Sequence, residues 1–167
     1  MRMENLCVSV ISSMDKLRII NFINQESLEH LRHYLEENHY HILELNGDTI
    51  KDKKSFFVEA IKKLPQDPPL HSPPIGQGNW DAFIDSSIGG LANLETEKVA
   101  LIWTSVENML ESGLPDLIEA INCFRDACHE VTNALYGFPR KMTLLTFLVG
   151  KGNNFKLIGE NNSNALG

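Results

Sequence analysis

The sequence contains no run of the ~18 to 20 apolar residues that a membrane-crossing helix needs, so a helical span is excluded. Cysteine is scarce and odd in number, with Cys7, Cys123 and Cys128 in 167 residues. That excludes a disulfide-built secreted scaffold and leaves reduced thiols as the reading. Positive charge is also short, 15 Lys and Arg against 22 Asp and Glu, a net of −7. A direct nucleic-acid binder needs clustered cations, and so does a protein that docks on anionic lipid; neither fits. The apolar start, Leu6 to Ile11, is flanked by Glu4 and Asp15 rather than by a basic leader, so a cytoplasmic protein is expected. What remains is an ordinary globular composition, 43% hydrophobic, of a length that suits one domain.

The negative charge is concentrated. Residues 71–130 carry ten acids and two bases, a net of −8, while the other 107 residues carry a net of +1. The acidity therefore belongs to one segment.

Periodicity gives the elements. Leu17 to Phe22 can form a short strand, and Leu28, Leu31 and Leu35 predict a helix over 26–37 that stops at Asn38. His41 to Asn46 reads as a strand closed by the Asn46-Gly47-Asp48 turn. Asp52 is the candidate N-cap of a helix with Phe57, Ala60, Ile61 and Leu64 on one face. Residues 65–74 hold five of the seven prolines and must be a surface loop. Asn79 then caps a helix whose apolar face is Trp80, Phe83, Ile84 and Ile88, with Gly89-Gly90 as its expected end. Lys98 to Thr104 and Met142 to Val149 are near-continuous apolar runs, as in strands buried on both faces. Between them Pro115 opens a helix with the stripe Leu117, Ile121, Phe124, Cys128 and Val131. Strands alternating with helices predict an α/β fold with a parallel sheet. Residues 1–38 read as an N-terminal extension, 39–150 as the α/β domain, and 151–167 as a flexible tail.

The chemistry-bearing stretch is Gly78 to Asp85, G-N-W-D-A-F-I-D. Asp81 and Asp85 are i, i+4, so they stack on one side of the helix, away from Trp80 and Phe83. Like charges at that spacing destabilise a helix by about 0.2 to 0.5 kcal/mol, which Asp81 recovers in part from the helix dipole. The pair reads either as a solvated face or as an anionic patch offered to a basic partner. Glu119, Asp126 and Glu130 likewise lie off the core stripe of their helix, as in any amphipathic helix.

Other constellations carry less. His39-x-His41 shares a strand face, but no further ligand completes a metal set. Cys123 and Cys128 are not in C-x-x-C spacing. Gly150-Lys151-Gly152 lacks the spacing of a phosphate loop, and no nucleophile elbow occurs. Asp81 and Asp85 as a catalytic acid and base would need a cleft that nothing around them suggests. No catalytic residue, metal or cofactor is called for.

Taken in order, I-L-E-L-N-G-D-T-I (42–50), S-F-F-V-E-A-I-K-K-L (55–64), N-W-D-A-F-I-D (79–85), V-A-L-I-W (99–103) and F-R-D-A (124–127) resemble the barstar family of intracellular ribonuclease inhibitors, over about residues 41–149. The resemblance implies a three-stranded parallel sheet packed against helices, to which the N-terminal extension can add a strand and a helix. It implies a partner too, a basic extracellular-type ribonuclease or nuclease toxin whose active site is blocked by acids standing where RNA phosphate would sit. Carried over, the partner-binding residues are Gly78, Asn79, Trp80, Asp81 and Asp85, with Asp126 on the later helix. The stretch 71–78 has none of the family's loop tyrosines, and Gly89-Gly90 stands where the family has a contact tryptophan. Two other readings stay open. One is a small α/β enzyme or ligand-binding domain working at the strand ends near Asn46 and Thr104. The other is an interaction module for a different basic protein.

Overall fold

The computed structural model describes residues 19–70 and 78–155. Among the described residues the α-helices and strands are, in order, β1 (Ile20–Asn24), α1 (Leu28–Glu37), β2 (His41–Leu45), α2 (Lys53–Lys63), α3 (Trp80–Ala92), β3 (Lys98–Trp103), α4 (Glu107–Ser112), α5 (Leu114–Asn133) and β4 (Thr143–Gly150). The strands form one parallel sheet in the order β1-β4-β3-β2. The three-stranded expectation is thus met by β2, β3 and β4, and the N-terminal strand joins as a fourth beside β4.

Alternation along β3 explains the layers. Ala100 and Ile102 face Leu31 and Leu35 of α1, together with Phe147 and Val149. Leu101 and Trp103 point the other way, into a core with Phe56, Phe57, Phe83, Leu117 and Phe124 from α2, α3 and α5. Both faces of β3 are covered, which is why K-V-A-L-I-W is apolar after Lys98. Burying an aliphatic or aromatic side chain contributes about 1.5 to 3 kcal/mol, and five consecutive residues of this strand are buried.

Local signals start the helices. Asp52 Oδ1 accepts from the Ser55 N–H at 2.8 Å while Ser55 Oγ accepts from the Asp52 N–H at 3.1 Å, a reciprocal cap on α2. The Ser55 backbone bond holds the Asp52 carboxyl below its ordinary value. Pro115 sits in the first turn of α5, as expected.

Four expectations change. β1 runs past Phe22 to Asn24, paired with β4 from Ile20 opposite Thr146 to Asn24 opposite Gly150; the expected start at residues 17 and 18 lies outside the described residues. α3 does not stop at Gly89-Gly90 but runs on to Ala92. A Cβ on Gly90 would fall under 3.0 Å from the Pro65 carbonyl and the Gln66 nitrogen, and one on Gly89 would meet the Asp67 carbonyl. The glycines admit the 65–68 loop to the helix; they do not end it. The short helix α4 has no counterpart in the periodicity, since of its six residues only Met109 is buried. Finally, the chain after β4 packs down again: Phe155 is buried, with its ring 6.1 Å from that of Phe22. The rest of the expected tail, 156–167, lies outside the described residues, as do 71–77 of the proline loop.

Candidate partner-binding site

The first turn of α3 is held from both sides. Asn79 is extended at φ −94° and ψ 118°, and its Oδ1 accepts from the N–H of Asp81 at 2.9 Å and of Ala82 at 3.5 Å. Gly78 is buried against Phe57, whose ring occupies the space a Cβ would need. Trp80 is half-buried, its ring centroid 4.8 Å from that of Phe57 and 5.3 Å from that of Phe56, with Lys53 Nζ 5.5 Å over its face. Gly78 and Trp80, expected to meet the partner, both pack against Phe57 and hold the helix start to the core, Trp80 with part of its ring exposed.

From this platform Asp81 and Asp85 project into solvent. Asp126 on α5 is exposed as well, and Arg125 Nε lies 3.4 Å from its Oδ1. That pair is more than half exposed on both sides and contributes little.

The two helices pack side by side and bring their acids together. Burial and then the carboxylates of Glu119, Asp126 and Asp81 push the Cys123 thiol up to about 11. Burial is the larger cause, and the acids that add to it come from both helices. Further along, burial and then Asp85 raise the carboxyl of Glu130. Among the described residues the carboxylates of Asp81, Asp85, Glu119 and Glu130 make no ion pair. The adjoining sides of α3 and α5 thus carry Asp81, Asp85, Glu119, Asp126 and Glu130 together with Arg125, a predominantly negative face.

Glu119 and Glu130 belong to this face although Asp126 alone was carried over from α5. The signal for them was helical phase: 119, 123, 126 and 130 follow one another at intervals of four, three and four, one stripe beside the core stripe. What phase alone could not give is that this stripe faces α3.

The strand ends near Asn46 and Thr104 are filled. Asn108 Nδ2 donates to the Gly47 carbonyl at 3.2 Å, Ser105 Oγ donates to Asp48 Oδ1 at 2.6 Å, and the Gly47 backbone presses on that of Thr104. An open cleft of about 530 Å³ lies instead beyond β1 and β4, lined by Asn24, Gln25, Glu26, Lys151 and Gly152. Among the described residues no cluster of three His, Cys, Asp or Glu side chains could hold a metal, and no helix is long and apolar enough to cross a membrane. Cys123 and Cys128 are free and buried; Cys128 Sγ lies 3.1 Å from the Leu144 carbonyl oxygen, as a small core side chain does.

Residues 40–144, from the turn before β2 into β4, match the family described as barstar (barnase inhibitor). Comparison with curated proteins gave no match.

Proposed function

The chain belongs to the barstar family, and from that premise we propose that it binds a basic, barnase-type ribonuclease or nuclease toxin through the acidic face of α3 and α5 and blocks its active site. It performs no catalysis and acts in the cytoplasm, protecting the cell in the manner of an immunity protein. Asp81 and Asp85 stand in for RNA phosphates, Asp126 extends the patch, and Asn79 fixes the turn that presents them. The observation that carries this reading is the packing of α3 against α5, which sets the exposed Asp81 and Asp85 on one helix beside Glu119, Asp126 and Glu130 on the other, with Arg125 paired to Asp126. A stability-driven surface would intersperse cations there, since self-repulsion has a cost.

The test is the double substitution Asp81→Ala with Asp85→Ala, titrated against purified barnase at several salt concentrations. Removing two of the steering charges lowers the association rate about tenfold or more at low salt and flattens its salt dependence. Unchanged affinity and unchanged salt dependence would falsify the reading.

A further inference from the structure

We propose that the face of Trp80 now covered by Lys53 is a seat for a cationic side chain of the nuclease, best a guanidinium, and that Lys53 fills the seat while the partner is absent. The inference rests on the binding reading above and adds a contact that carboxylates alone do not supply. Electrostatic complementarity sets approach rate and register, whereas residence time comes from large side chains, aromatic ones above all, desolvated within an interface. The stretch 71–78 contains no aromatic residue. Of the two rings on α3, Phe83 is buried and only Trp80 keeps part of its surface exposed.

The ring is fixed in place. Its centroid lies 4.8 Å from that of Phe57 and 5.3 Å from that of Phe56, and Asn79 caps the turn that carries it. A pre-set aromatic surface loses little entropy on binding. Lys53 Nζ stands 5.5 Å from the ring centroid, so the site already holds a cation.

The position of that cation shows what the seat recognises. Asp116 Oδ2 accepts from the Lys53 backbone N–H at 3.0 Å, yet the Lys53 ammonium makes no ion pair among the described residues. The charge rests on the indole rather than on a carboxylate. A lysine stem is flexible and its head strongly hydrated, so the ammonium can swing out to water with no ion pair to break. A guanidinium is planar and more weakly hydrated, and it stacks on aromatic faces.

A second group favours the exchange. Trp80 and Asp81 hold successive positions in the first turn of α3, about 100° apart around the axis, and Asp81 is exposed. A partner cation entering between them meets the ring on one side and the carboxylate on the other. Lys53, reaching over from α2, does not pair with Asp81. The incoming group therefore gains a charge-assisted contact that the resident one lacks.

The experiment labels the chain with 5-fluorotryptophan and titrates it with unlabelled purified barnase. The chain has two tryptophans, and Trp103 is fully buried, so the fluorine spectrum carries one reporter in the seat and one control in the core. The Trp80 line is expected to shift on saturation while the Trp103 line stays. Lys53→Met keeps the stem and vacates the seat; it should tighten binding roughly 2- to 5-fold more than Lys54→Met. Lys54 lies over no ring among the described residues, so that second variant removes the same charge without opening the seat. A stationary Trp80 line in a complex that the acid double variant weakens overturns the seat and leaves the acidic face standing. A Lys53→Met variant that gains no more than Lys54→Met does the same. A shifted Trp80 line, with an acid variant that binds like wild type, supports the seat and removes the phosphate-mimic reading. A wild-type chain that does not bind barnase removes both.

Discussion

Replacing Gly90 with alanine sets two effects against each other, and the structure says which wins. Gly90 is inside α3, where alanine is favoured by about 0.8 to 1 kcal/mol on propensity. Its new Cβ would lie under 3.0 Å from the Pro65 carbonyl and the Gln66 nitrogen, both backbone atoms without a rotamer to change. Comfortable carbon contacts begin near 3.5 Å, so the loop must retreat by about an ångström or more. Retreat strains three hydrogen bonds: Asp67 N–H to the Ser86 carbonyl at 2.9 Å, Ser86 Oγ to the Pro68 carbonyl at 2.7 Å, and Asn93 Nδ2 to Asp67 Oδ2 at 2.8 Å. Each is worth about 0.5 to 1.5 kcal/mol, and overpacking a tight site costs about 1 to 3 kcal/mol. After the propensity gain, a net loss of about 2 kcal/mol is expected. For a chain of this size that lowers Tm by roughly 4 to 8 °C. Calorimetric or circular-dichroism melting reads it directly. An unchanged or raised Tm would mean that propensity decides at this glycine and that the loop does not need the approach.

Two further outcomes follow from the acidic seam. Burial and Asp85 raise the Glu130 carboxyl, so the folded protein holds that proton more tightly than the unfolded chain. Its contribution is therefore favourable at acid pH and is lost as pH rises through the raised value. Glu130→Gln should stabilise the protein by roughly half a kcal/mol at pH 7 and by nothing near pH 3; denaturant melts showing a pH-independent difference would refute this. The Cys123 thiol, pushed up to about 11 and buried, should label with a disulfide reagent at pH 8 about 100-fold more slowly than a free peptide thiol. Mass-spectrometric peptide mapping separates it from Cys7 and Cys128, and rapid native labelling at Cys123 would contradict first its burial and then the neighbouring acids.

Elements with a strong local signature were legible in the chain. The β-branched and aromatic density of Lys98 to Trp103 announces a central strand, and Asp52 and Asn79 announce helix starts through side-chain chemistry that acts within three residues. Features decided at a distance were not legible. The limits of β1 depend on pairing with Thr146 to Gly150, more than a hundred residues away. The continuation of α3 through Gly89-Gly90 depends on a loop that folds back over it. Phe155 follows a Gly- and Asn-rich turn that reads as a fraying end, yet it is buried against Gly150 and Phe22. The site divides in the same way. Helical phase pairs Asp81 with Asp85, and separately aligns Glu119, Asp126 and Glu130, but only the packing of α3 on α5 joins the two stripes.

That packing also explains how so many like charges can share one face. The helices are drawn together by rings: Phe83 lies 6.2 Å from Phe124, and Phe56 sits 5.4 Å from Phe83, 5.1 Å from Trp103 and 6.1 Å from Phe124. Such contacts contribute about 0.5 to 1.5 kcal/mol each beyond the area they bury. Repulsion between exposed carboxylates is smaller, a few tenths of a kcal/mol per pair, and is screened by salt. The aromatic core therefore tolerates an acidic surface that a single Lys on α5 before Arg125 would have relieved. A cationic partner settling on α3 and α5 would remove the same repulsion, so binding and stability are coupled through Asp85 and Glu130. Glu130→Gln should accordingly shrink the thermal stabilisation that saturating barnase gives, while it raises the melting temperature of the free protein.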